Sequence, residues 1–444
     1  MLEKILEILN HSNLFLTGGG GVGKSYLTQA IVAHYKNELK NVVVLGSTGI
    51  SAVSVGGVSV HSFFKFGISS NFEELRVLDT KQKSALSKVR AVLDSCDLLI
   101  IDEISMISAQ LLDMVYYRLR ASKFIGRVML VGDFYQLPPV KKQTVQNPQN
   151  SLFGADLLNF TYAFDSRAWH ELELVCVELV NSKRTNDAHF YEILNKLRVG
   201  ELDESSLKYL NNLRIKHINL DANTSVLFGR NRESEELNNV MLSMLDTPEV
   251  AINAKIDVYD PSLKNEAISR WVNNLNAPLN LIIKVGAKVM FVTNKWGEYY
   301  NGERGEVVHI ERSKDEVESI IIKKTNQEIV SIKRHTFNLS EFVSDGEEVS
   351  EDVRASFSQF PFKLAYAITI HKSQGMSIDR LTCNLDNIFA NGQLYVALSR
   401  ATSPTGLGLV YTRARDFNEY LKQVIRIDPA VRDFYNSTNF IKEQ

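Results

Sequence analysis

The chain of 444 residues is long enough for two to four domains, and its 44% apolar content can fill substantial cores. With 50 basic and 52 acidic residues the net charge is −2, which excludes a uniformly basic surface but not a locally basic groove. Three scattered cysteines, Cys96, Cys176 and Cys383, exclude a disulfide framework or a cysteine zinc site, and no stretch reads as a signal peptide or membrane span, so a cytoplasmic protein without membrane contact is expected.

The first informative stretch is LFLTGGGGVGKSYLTQAIV at 14–32. Leu14 to Thr17 predicts a short buried strand, and Leu27, Ile31 and Tyr35 recur at helical spacing after Ser25. Between them stand Gly18, Gly19, Gly20, Gly21, Val22, Gly23, Lys24, Ser25 and Tyr26. A glycine, four residues, then Gly-Lys-Ser between strand and helix is the pattern of a phosphate-cradling loop. Its backbone N–H groups and the helix N-terminus would hold a polyphosphate. Lys24 would reach the outer phosphates and the Ser25 hydroxyl would ligate Mg²⁺, so a bound nucleotide with Mg²⁺ is expected.

Further strands are predicted at 42–46, 98–102 and 128–132, all without polar alternation, as in a parallel sheet covered on both faces. Residues 71–93 are charged and helical, an excursion between strands, and 141–151 is a polar loop. Apolar runs at 225–229, 381–385 and 407–411 predict a second α/β core. Short strands at 287–293, 305–311, 319–324 and 327–334, separated by turn residues, predict a small antiparallel barrel or sheet inserted into it, with 344–352 as its acidic exit loop.

The chemistry is read at strand ends. LLIIDE places Asp102 and Glu103 after a buried strand, where an Asp can hold Mg²⁺ and a Glu can polarise the attacking water. VGDFYQLPPV sets Asp133 and Gln136 where a γ-phosphate sensor could stand. SKRTND and YVALSRAT each offer a cation, Arg184 and Arg400, to offset charge on a transferring phosphoryl group.

With LAYAITIHKSQGMSIDRL at 364–381 and GQLYVALSRA at 392–401, the chain resembles the Pif-one-type DNA helicases, in the B branch of helicase superfamily one, over roughly residues 14–412. The resemblance implies two RecA-like P-loop cores with ATP between them. Core one would span 1–180, with a small wedge-like helical insert at 71–93. Core two would span 181–284 and 356–444, with an SH3-like β-barrel insert at 285–355. It implies ATP-driven translocation on single-stranded DNA, five-prime to three-prime, with unwinding of duplex or structured DNA in replication, repair or recombination, and a monomer as the functional unit. Carried over residue by residue, Lys24, Ser25, Asp102, Glu103, Gln136, Arg184 and Arg400 fall at nucleotide-site positions, and Gly375 at a backbone position near the nucleotide. Thr48 and Gly49, then His61, Ser62 and Phe63, fall at DNA-facing positions of the first core, and His371 and Lys372 at those of the second.

Three departures from the family pattern stand out. Residues 1–13 contain no glutamine where relatives carry one to read adenine, which predicts relaxed discrimination between ATP and GTP. The stretch ahead of GDFYQLPPV has the single glycine Gly126, and Thr185 replaces a glutamine after Arg184. The same ATPase residues would also serve an RNA motor or a nucleotide-dependent switch. A switch, however, has no use for a second set of DNA-facing residues.

Overall fold

The computed structural model describes residues 1–47, 58–67, 72–139, 162–218, 224–275, 277–295, 297–314 and 316–443. A seven-stranded sheet, parallel throughout, runs in the order Ile441–Glu443, Val175–Leu179, Leu14–Gly18, Arg127–Val131, Leu98–Asp102, Val42–Gly46, Val58–Ser59. Its central strands carry unbroken apolar runs, Leu14–Leu16, Leu98–Ile101 and Val128–Val131, because both faces are covered. Phe15, Leu99, Ile101, Val128 and Leu130 point into one core cluster, whereas Leu14, Leu16, Leu98, Ile100, Met129 and Val131 point into the other. Parallel pairing puts the carboxyl ends of Leu14–Gly18, Leu98–Asp102 and Arg127–Val131 on one edge, where ligands of parallel sheets bind.

The stretch 71–93 forms two helices, Phe72–Lys81 and Lys83–Asp94. The first is pinned to the core by Arg118, whose guanidinium donates to both oxygens of Asp79 at 2.7 and 2.6 Å and to the Phe64 carbonyl. Such bidentate pairing suits a mostly buried arginine.

The second sheet is also parallel, ordered Ala367–Thr369, Ser225–Phe228, Leu381–Asn384, Leu407–Val410. Between its parts lies an antiparallel five-stranded sheet, ordered Ile329–Ile332, Glu316–Lys324, Arg304–Ser313, Lys288–Phe291, Phe362–Leu364. The predicted short strands of this region are therefore present.

Three expectations are corrected. Residues 344–352 are not an exit loop. They turn and begin the return arm of a long hairpin, His335–Ser344 with Val349–Gln359, to which Lys255–Val258 adds a third strand. The hairpin tip docks on the first core, where Ser344 Oγ meets Ser95 Oγ at 2.8 Å and Asn41 bonds the Glu347 carbonyl and the Val349 N–H. Secondly, the antiparallel region exceeds 285–355, since strands Val250–Asn253, Asn280–Ile283 and Phe362–Leu364 share its structure. Thirdly, the last residues leave the second core. Helix Pro429–Ser437 stacks Phe434 on Phe164 and Tyr435 on Tyr135, and Ile441–Glu443 completes the first sheet.

Candidate active site at the seam between the two parallel sheets

The glycine loop leaves the strand Leu14–Gly18 and enters the helix Lys24–Asn37. Gly21 and Gly23 have φ of 84° and 97°, a left-handed backbone that a side chain would strain, and this curls the loop's N–H groups inward. Lys24 Nζ is folded back onto the Gly18 and Gly19 carbonyls, at 2.6 and 2.9 Å. Burial lowers its pKa, against the pull of Asp133, Glu103 and Asp102. Ser25 and Tyr26 at the helix start are exposed.

Residues from beyond the first core close over this loop. The Tyr395 hydroxyl accepts the Gly20 N–H at 2.7 Å. A side-chain carbon on Gly20 would stand 3.0 Å from Ser399 Oγ and 3.3 Å from Arg400 Nη2. On Gly21 it would collide with Arg184 Cβ at 2.6 Å. Both predicted arginines therefore lie against the loop. Arg400 is 2% exposed, and its guanidinium bonds the Val396 carbonyl and Ser399 Oγ. Arg184 bonds Ser377 Oγ and the Ser399 carbonyl at 2.9 and 2.5 Å. Burial, then the neighbouring Arg400 charge, lowers the Arg184 pKa to about 9. Burial likewise lowers that of Arg400. Two cations desolvated side by side form a site that an anion would stabilise.

The acidic side faces them. Glu103 sits at φ 56°, ψ 48°, a left-handed conformation held by its surroundings. Its carboxylate accepts a hydrogen bond from Gln374 Nε2 at 3.0 Å, reaching across from the HKSQG segment. Burial, then Asp102, raises its pKa to about 7. Burial also raises the pKa of Asp102, whose Oδ1 accepts the Glu103 N–H at 2.8 Å. Gln136 bonds Asp133 through its side chain at 3.3 Å. Gly375 follows Gln374 at φ 80°, with open space where a side chain would go.

The DNA-facing expectations divide. His61 is exposed and Ser62 half-buried on the short helix Val60–Phe63. Phe63 is a correction. It is 4% exposed, packed edge-on against Phe64 and Phe342, and belongs to the core. Thr48 and Gly49 lie outside the described residues. His371 stacks on Phe389, with ring centres 6.0 Å apart and planes 20° apart, and Phe389 is 65% exposed. Lys372 follows His371 on the same turn. Sequence reasoning missed Phe389, Tyr395, Gln374 and Arg198. Gln374 and Tyr395 stood within quoted motifs, so only the other two lacked a signal.

A family model described as PIF1-like helicase matches residues 2–208. The ATP-dependent DNA helicase Pif1 of Campylobacter jejuni is 41% identical over 99% of this chain and 98% of that protein. This chain belongs to the PIF1-like helicase family. A Bacteroides Pif1 in complex with ADP-AlF4 superposes with a TM-score of 0.81 at 27% identity, over 98% of this chain and 96% of that one. A Bacteroides Pif1 bound to ssDNA gives 0.64 at the same identity and coverage. The α/β fold with parallel sheets is thus the PIF1-like helicase fold. Among the described residues no helix is long and apolar enough to cross a membrane.

Proposed function

We propose that the chain is an ATP-dependent DNA helicase that moves five-prime to three-prime on single-stranded DNA and unwinds duplex or structured DNA. The observation that carries this reading is the meeting of Arg184, Tyr395, Ser399 and Arg400 with the glycine loop at Gly20 and Gly21. A loop closed by a second core, rather than by its own domain alone, suits a motor in which nucleotide draws two cores together. The two parallel sheets are read as RecA-like cores. The antiparallel sheets around 285–355 are read as an SH3-like insert, and the helices within 71–93 as a wedge-like one.

ATP phosphates would replace the Tyr395 hydroxyl on the Gly20 N–H and draw Lys24 off its two carbonyls. Ser25 and Asp102 offer the hard oxygen donors that suit Mg²⁺, which when bound neutralises phosphate charge. Glu103, oriented by Gln374, takes a proton from water as the water oxygen attacks the γ-phosphorus and the bond to the β–γ bridging oxygen breaks. Arg184 and Arg400 meet the charge that spreads over the transferring group. Gln136 senses the γ-phosphate. Exposed His61 on one core, and His371, Lys372 and Phe389 on the other, would give two grips on a single strand held by backbone and stacking contacts. The ssDNA-bound Bacteroides Pif1 supports single-stranded DNA as the ligand. We place the protein in the cytoplasm and take the monomer as the working unit.

Strand displacement on duplexes carrying a five-prime or a three-prime single-stranded tail tests this function. ATP-dependent displacement from the five-prime tail alone is expected. Displacement from the three-prime tail alone overturns the polarity, and none from either overturns the unwinding activity.

A further inference from the structure

Arg198 ends the helix Ala188–Arg198, which is anchored in the second core by Phe190, Ile193, Leu194 and Leu197. Its guanidinium is not spent there. It crosses to the first core, where it meets Asp133 at 3.1 Å through Nε and Nη2, and Glu178 at 2.9 Å through Nη1. The Asp133 side chain is fully buried and that of Arg198 is 9% exposed. The Tyr135 and Tyr435 rings lie 5.0 and 5.6 Å from the guanidinium carbon.

Two features tie this contact to the glycine loop and to the segment that carries Gln136. Asp133 also receives Gln136 Nε2 at 3.3 Å, the Tyr135 N–H at 3.2 Å and the Tyr435 hydroxyl at 3.4 Å, so its carboxylate organises the segment that carries Gln136. The Arg198 side chain also backs the glycine loop, because a side-chain carbon on Gly19 would stand 3.6 Å from Arg198 Cδ. Burial is the largest influence on Arg198 and opposes its charge, but Asp133 together with Tyr435 and Tyr395 more than offsets it and keeps the guanidinium protonated. A buried arginine bonded to two carboxylates has little slack. Rotation of the second core against the first therefore either carries Asp133 along or breaks the pair.

We propose that Arg198 is a positioning residue that couples the two cores. Through Asp133 it sets Gln136 and the back of the glycine loop, so that a single strand gripped by the second core changes the rate at the phosphate site. The inference rests on the helicase reading above and names the contact that transmits DNA binding to ATP turnover.

The test is ATP turnover by the purified full chain, with and without oligo(dT), beside oligo(dT) affinity and thermal stability. Arg198→Met should lose about tenfold or more of the DNA-stimulated kcat, within the usual span of coupling between sites, while the KM for ATP and the DNA affinity stay within about threefold. Arg198→Lys should recover part of the stimulation, because it restores the charge without the fork. Arg198→Met alone strands the buried Asp133, so Arg198→Met/Asp133→Asn removes both charges and serves where the single variant unfolds. It should show the same loss of stimulation and no further one. Stimulation kept within about twofold of the parent in the single or double variant, or a loss confined to KM, overturns the coupling role while leaving the helicase reading standing. A parent enzyme with no stimulation by DNA overturns the helicase reading and this inference with it.

Discussion

The Tyr395 hydroxyl occupies the Gly20 N–H, 2.7 Å away, and so holds a donor that a phosphate oxygen must take. Nucleotide therefore competes with a side chain 375 positions along the chain. A neutral hydrogen bond of this kind is worth about 0.5–1.5 kcal/mol net. Tyr395→Phe should tighten ADP binding by about twofold to tenfold in a fluorescent-nucleotide titration. Unchanged or weaker binding would mean that Tyr395 leaves the loop at no cost.

Lys24→Ala should abolish turnover in a protein that still folds. Loss of one pre-placed charge on the transferring group typically costs about 10²–10³ in rate. Circular dichroism and a turnover assay suffice, and normal turnover in the folded variant removes the glycine loop from the chemistry.

The raised pKa of Glu103, about 7, has a definite sign. Only the carboxylate can accept a proton from water, so turnover should fall as pH drops through about 7 and level off above it. Glu103→Gln should still bind ATP and single strands yet hydrolyse slowly, and its residual rate should lack that limb. A limb that survives in Glu103→Gln belongs to another group.

Phe389 and Phe63 should separate cleanly. Phe389→Ala removes an exposed ring stacked on His371 and should weaken binding to single strands by about 1–3 kcal/mol, with melting unchanged. Phe63→Ala empties a core site and should cost about 3–5 kcal/mol of stability. Unchanged DNA affinity in Phe389→Ala would move the stacking platform elsewhere.

Local features were legible in the sequence, and features made by distant partners were not. The phosphate loop announces itself because its glycines answer a local backbone demand within nine residues, Gly18 to Tyr26. The parallel strands show as unbroken apolar runs because both faces of the sheet are covered. The antiparallel strands show because turn residues divide them. Phe63 misled because an aromatic in an apolar run looks alike whether it stacks on a base or on Phe64. Arg198 gave no signal because its partner Asp133 lies 65 residues away. Tyr435 is 302 residues from the same carboxylate. The last strand, Ile441–Glu443, is too short and polar to read as one, and only the open edge beside Val175–Leu179 makes it a strand.

Arg400 decides whether the phosphate site is completed from the second core. Its side chain is buried beside the glycine loop and has no carboxylate in hydrogen-bond contact among the described residues, as suits a cation reserved for phosphate. DNA-stimulated turnover should be measured for Arg400→Ala, with nucleotide and DNA affinities as controls for folding. If the second core completes the site, both affinities remain and turnover falls by about 10³–10⁵, the range of an arginine finger. A fall of less than about tenfold, far short of that range, would contradict it.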